Sequence, residues 1–275
     1  MPQDVSEPVE DTQFIKNAYS LVEEAEKEGI ILRILGALAI RIHSGEFEEL
    51  HIRLKRLGDN KQLFTDIDLI AYSKQRAEVR TFFENKKGYH IDRHVLMYHG
   101  NTRHIYYHPD TLFHIDVFFD QLEFCHDIYF GLNPGEGRLE LDSPTIPLAD
   151  ILLQKTQIHE INEKDIKDLL VLLRAHEIGQ TDEREFINVK YLSELLADDW
   201  EFWYEVKLNL NTVQTFARKY ASDGLISEED YLNVDQKVNS IINSLETVEK
   251  TKQWQKRAKK GPQKKWWRDV EEISR

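Results

Sequence analysis

At 275 residues, 41% hydrophobic and 31% charged, the chain has the length for one large domain, or a medium domain with an appendage, under a polar surface. No window approaches the roughly 18 unbroken apolar residues of a membrane-spanning helix, and the single cysteine, Cys125, excludes an internal disulfide. The net charge is −13, yet residues 250–268 hold nine Lys/Arg and no Asp/Glu, so only this tail presents a field that draws nucleic acid.

The acidic, proline-bearing stretch from Met1 to Asp11 is the opposite of a secretion signal, and with the lone cysteine it sets the expectation of a cytoplasmic protein. Residues 1–11 are expected to be disordered. From Thr12 to Glu28 apolar residues recur at helical spacing (Phe14, Ile15, Ala18, Leu21, Val22, Ala25), predicting an amphipathic helix. Ile30 to Leu35 reads as a buried strand closed by Gly36, and Ala37 to His43 as the start of a helix. Gly45 to Lys61 reads as a polar loop holding at most one short strand. Phe64 to Tyr72 predicts a second strand, and Lys74 to Lys86 a helix stopped at Lys86-Lys87-Gly88. Further strands are expected over Ile91–Tyr98, Arg103–Tyr107 and Leu112–Phe119, with turns at Gly100-Asn101 and Pro109-Asp110. Asn133 to Gly137 is a loop before a short strand around Leu139. Helices follow over Leu148–Glu160 and Glu163–His176, broken at Asn162, and everything past Thr181 reads as helical.

The expected fold class is α/β (α+β), a mixed sheet flanked by helices with a helical C-terminal extension. The expected divisions are a disordered 1–11, a core domain over 12–180, a helical region over 181–249 and a basic, Trp-containing tail over 250–275.

Chemistry concentrates in three segments: Leu35-Gly36-Ala37-Leu38-Ala39, Thr65-Asp66-Ile67-Asp68-Leu69-Ile70 and His114-Ile115-Asp116-Val117-Phe118-Phe119. Residues i and i+2 of a strand share a face, so Asp66 and Asp68 point to one side, and a neighbouring strand can add Asp116. Clustered carboxylates repel unless a hard cation such as Mg²⁺ neutralises them. The bland alternative for Asp66 and Asp68 is a pair of solvent-facing acids at a strand edge. A glycine turn feeding a helix N-terminus, as at Gly36, offers backbone N–H groups to phosphate.

In this order the three segments resemble the nucleotidyltransferase superfamily of DNA polymerase β-like fold, and more narrowly its AbiEii-like branch. The run Pro147-Leu148-Ala149-Asp150-Ile151-Leu152-Leu153-Gln154-Lys155 is similar to that branch's lysine-bearing helix. Glu163-Lys164-Asp165-Ile166-Lys167-Asp168-Leu169-Leu170 is similar to the Lys/Arg-Asp-x-x-Asp helix that follows it. The resemblance covers about residues 28–176.

It implies a nucleotidyltransferase-like core that moves a nucleoside monophosphate from an NTP to an acceptor hydroxyl on RNA or tRNA, a protein or a small molecule. Asp66, Asp68 and Asp116 would be catalytic ligands of Mg²⁺ or Mn²⁺, and Gly36 and Ala37 the nucleotide-binding turn. Lys155 would contact phosphate, with Asp165 orienting it or touching the nucleotide. A toxin–antitoxin setting with a cognate antitoxin is common in the branch. Read from the residues alone, Lys155 can also snorkel to solvent, and Asp165 and Asp168 can pair with Lys164 and Lys167. The branch carries Gly or Ser where this chain has Ala37, which has no hydroxyl to offer a terminal phosphate. A second reading is therefore a degenerate member that binds nucleotide or protein without chemistry.

Seven of the eleven histidines fall between His90 and His126 without zinc-motif spacing, and read as sheet-surface residues, with His114 sharing the face of Asp116. Cys125 reads as a buried apolar residue. In the tail, Trp254, Trp266 and Trp267 interleave with Lys and Arg, a pattern that suits RNA, an anionic membrane surface or docking against the protein's own acidic body.

Overall fold

The structure is a computed structural model that describes residues 11–58, 63–110 and 113–270. The expected N-terminal disorder lies outside the described residues except for Asp11, which opens the first helix. In chain order come α1 (Asp11–Lys27), β1 (Leu32–Ile34), α2 (Gly36–His43), α3 (Glu48–Leu54), β2 (Asp66–Ala71) and α4 (Arg76–Thr81). Then follow β3 (His90–Ile91), α5 (Arg93–His99), β4 (Arg103–Tyr107), β5 (His114–Phe119), β6 (Gln121–Glu123) and β7 (Asp127–Tyr129). The remainder is α6 (Leu148–Thr156), α7 (Glu163–Ala175), β8 (Glu177–Gly179), β9 (Phe186–Asn188), α8 (Val189–Leu196), α9 (Trp200–Ser222), α10 (Glu228–Thr247) and α11 (Lys252–Ala258). No helix among the described residues is long and apolar enough to cross a membrane.

The chain divides into two units: one holds residues up to 42, 57–121 and 129–146, the other 43–56, 122–128 and everything from 147 on. The last division thus falls at 146–147, earlier than the expected boundary at 180–181, and each unit draws on separated stretches of chain.

The first unit is built on a mixed five-stranded sheet of order β1-β2-β5-β4-β3. Strand β2 is antiparallel to β1 and parallel to β5, and β4 is antiparallel to both β5 and β3. The apolar stripe read from the sequence buries Phe14, Ala18, Leu21, Val22 and Ala25 of α1. Phe14 meets Phe64 and Phe113 with ring centroids 6.1 and 5.4 Å apart, tying the helix to residues that precede β2 and β5. In the second unit α9 and α10 form a helical hairpin. Val206, Leu210, Val213 and Ala217 on one, and Val234, Val238, Ile241 and Leu245 on the other, are buried at spacings of three and four.

Four stretches differ from the sequence reading. The supposed loop after Gly45 holds a 3₁₀ turn and α3, which buries Leu50, His51 and Leu54 and ends at Lys55 in the left-handed conformation. The strand expected over Ile91–Tyr98 stops at Ile91, because the Asp92 carboxylate accepts from the N–H groups of His94 and Val95 and caps α5. Leu139 sits in a turn, its N–H donating to the Tyr72 hydroxyl at 3.1 Å. Past Thr181 the chain is not wholly helical: β9 pairs in parallel with β8, Ile178 opposite Ile187.

Candidate functional site

The register of β2 against β5 assembles the candidate site of the first unit. Asp66 pairs with His114 and Asp68 with Asp116, so all four side chains leave the same face of the sheet. The alternating residues Ile67, Leu69, Ile115 and Val117 are fully buried on the other face, and that burial prevents a one-residue slip. His114 Nε2 lies 3.4 Å from Asp66 Oδ2 and 4.0 Å from Asp116 Oδ2. The Thr65 hydroxyl donates to Asp66 Oδ1 at 3.2 Å.

Gly36 stands against this patch. Its φ of +74° lies in the left-handed region, and a Cβ there would sit 2.8 Å from Asp68 Oδ2. The Leu35 N–H donates to the Asp68 carbonyl at 3.0 Å, holding the turn to β2. The glycine is therefore required by backbone conformation and by close approach to a carboxylate. Ala37 follows it in the first turn of α2.

One participant is absent from the sequence reading. Arg103 of β4 is opposite Phe118, on the aspartate face, and its Nη2 donates to Asp116 Oδ2 at 2.6 Å. Its guanidinium also lies 5.0 Å from the centre of the Phe118 ring. The period-2 pattern of β4 carries that placement once the register is known, but nothing in the sequence supplies the register. Asp116 is 2% exposed, so a positive partner offsets part of the cost of burying its charge.

The donors have the chemistry a hard divalent cation takes: three carboxylates on one face, with Arg103 bonded to Asp116. Among the described residues, however, no three His, Cys, Asp or Glu side chains are arranged to hold a metal ion, and Asp116 is turned to Arg103.

Lys155 and Asp165 belong to the second unit. Lys155 Nζ lies 2.7 Å from Asp165 Oδ1 and 2.8 Å from Asp168 Oδ2. Arg56 Nε donates to both Asp168 oxygens at 2.8 and 3.0 Å, and His51 Nε2 lies 3.8 Å from the same carboxylate. Burial works against the charges of Lys155 and Asp168. The two aspartates nevertheless hold the Lys155 ammonium above its ordinary value, and Lys155 with Arg56 holds Asp168 below its own. The lysine's ammonium is thus taken up by two carboxylates, and Asp165 pairs with Lys155 rather than Lys164. Asn162, where the sequence breaks the two helices, caps α7 through the Asp165 N–H.

A further network of the second unit links Ser44 Oγ to His176 Nε2 at 3.3 Å and His176 Nδ1 to Glu185 at 3.2 Å. Its connectivity is that of a hydrolase triad, but Ser44 is 2% exposed. Burial also pushes the His176 imidazole down to about 4, too weak a base to activate a hydroxyl near neutral pH.

The tail docks on its own unit. Arg257 bonds to Glu201 and lies over the Trp200 ring at 4.5 Å. Trp266 Nε1 donates to Glu205 at 2.6 Å, and Trp267 stacks on His159 at 3.6 Å. Cys125 is buried as expected. Comparison of the chain with protein-family models, curated proteins and solved structures finds no match.

Proposed function

We propose that the first unit is the core of a metal-dependent nucleotidyltransferase, moving a nucleoside monophosphate from an NTP to an acceptor hydroxyl. The observation that carries this reading is the parallel register that sets Asp68 beside Asp116, with Asp66 one step along and the Gly36 turn packed on Asp68. A glycine turn, a D-x-D strand and a third aspartate on the adjacent parallel strand agree with the resemblance in the sequence. Asp66, Asp68 and Asp116 are the residues that would hold Mg²⁺ or Mn²⁺, which supplies charge neutralisation at the transferring phosphoryl group. The chain's own contribution is to keep three carboxylates on one rigid face, to let the Gly36 backbone approach Asp68, and to hold Asp116 through Arg103. A carboxylate freed from Arg103 is placed to accept the acceptor's proton.

The Arg103–Asp116 bond and the methyl group of Ala37 favour a second reading, a relative that binds nucleotide without turnover. For an RNA acceptor, the tail offers exposed Lys256, Lys259, Lys260 and Lys264, while Trp266 and Trp267 are engaged internally. An antitoxin partner rests on the sequence resemblance.

The test incubates the full chain with each radiolabelled NTP, Mg²⁺, and cellular RNA or protein. Labelled product that falls at least about a hundredfold in Asp66→Asn and Asp116→Asn supports transfer. Equal labelling by wild type and both variants refutes it. Calorimetric NTP binding that needs Mg²⁺ and the aspartates, with no labelled product, selects the second reading.

A further inference from the structure

The opposite face of the same sheet carries a cleft that the aspartates do not use. Phe119 and His104 belong to that face, since Phe119 alternates with Phe118 and His104 pairs with Val117. The cleft has a volume of about 790 Å³, and its walls include Lys74, Arg76 and Arg80 against a single carboxylate, Glu84. Glu84 is already shared, bonding to Arg80 and lying 3.6 Å from Arg93. No carboxylate among the described residues forms an ion pair with Lys74 or Arg76. In a chain of net charge −13, where Arg33, Arg56, Arg103, Arg174 and Arg257 each have an acidic partner, that is a local excess of positive charge.

Arg76 is also held in place. Its guanidinium lies over the Phe119 ring, 5.3 Å from the centroid, and its Nε is shut off from solvent without a hydrogen-bond acceptor. A planar guanidinium fixed on an aromatic ring loses little freedom when it takes an anion, and its geometry matches the paired oxygens of a phosphoryl group.

The floor supports the same use. His104 Nε2 lies 3.1 Å from the Gly100 carbonyl, which can only accept, so the proton sits on Nε2 and Nδ1 accepts from the Tyr106 hydroxyl at 2.8 Å. Burial and the adjacent Arg76 and Arg80 push this imidazole down to about 4, so it stays neutral and fixes the Gly100-Asn101 turn at the rim. Glu84 and Asn85 reach the cleft from a π-helical turn, Phe82–Lys86, an irregularity that recurs at binding sites.

We propose that this cleft binds a phosphorylated small molecule by its phosphoryl group, with Arg76 as the planar donor and Lys74 and Arg80 as the neutralising charges. The site is separate from the aspartate patch and needs no divalent cation. The experiment is a calorimetric titration of the full chain with inorganic pyrophosphate in the presence of a chelator. Saturable binding is expected, weakened about tenfold or more in Arg76→Gln and measurably in Lys74→Gln, and unchanged in an Asp66→Asn/Asp116→Asn double variant. Lys74 is exposed, so its variant tests the site even where Arg76→Gln fails to fold. Absence of saturable binding overturns the proposal. So does wild-type affinity in a folded Arg76→Gln or in Lys74→Gln, or loss of binding in the aspartate double variant.

Discussion

Two charge clusters in this protein use the same residue types to opposite ends. Around Asp168 the second unit sets two cations, Lys155 and Arg56, against two carboxylates, all largely out of water. Around Asp116, which Arg103 bonds, the first unit gathers three carboxylates on one sheet face and leaves Asp66 and Asp68 partly exposed. A balanced, dry cluster has nothing left over to give a ligand. Carboxylates gathered on one face at the edge of solvent stay within reach of a cation.

The largest expected effect comes from unbalancing the dry cluster. Asp168→Asn leaves Lys155 and Arg56 facing each other without that carboxylate, and denaturant unfolding should show a loss of about 3–5 kcal/mol. The second unit should also be acid-sensitive through His176. Its folded value of about 4 lies below the ordinary 6.5, so the unfolded chain binds the proton more readily. Stability is complete above pH 6.5 and declines as the pH falls toward 4, by at most about 3 kcal/mol from this residue. Melts of wild type and His176→Gln across that range should converge at the acid end.

In the first unit, Gly36→Ala should cost about 2 kcal/mol, through left-handed strain and displacement of Asp68. A variant as stable as wild type would show that the turn can move away from the carboxylate. The smallest change is the most pointed one. Arg103→Gln removes the guanidinium that holds Asp116, and Mn²⁺ binding measured by electron paramagnetic resonance should tighten several-fold. Unchanged affinity would mean that Arg103 does not compete with a cation, and the contrast between the clusters would lose its functional meaning.

Much of the first unit was legible in the sequence because its strands alternate. Asp66, Ile67, Asp68 and Leu69 declare one polar and one apolar face, and Phe14 to Ala25 declare a helix stripe. Asp92 was misread because a run of apolar residues masked its role as a cap, and one side-chain oxygen outweighed the strand propensity of Val95 to Tyr98. Arg103 was invisible because its role exists only across strands. Lys155, which the sequence leaves between a phosphate contact and a side chain snorkelling to solvent, is buried against Asp165 and Asp168, and Arg56 joins them from a stretch that reads as loop.

The contact between Arg56 and Asp168 spans 112 residues of chain, which sets an order of events during synthesis. At about 5–20 residues per second, α3 leaves the ribosome roughly 6–22 seconds before α7 can meet it. Until then His51 and Arg56 belong to a segment whose own unit does not yet exist, while the chain between them and Asp168 encodes most of the sheet. The second unit is therefore completed late, by capture of a helix made early, and a gene cut at 146–147 would deprive it of that helix.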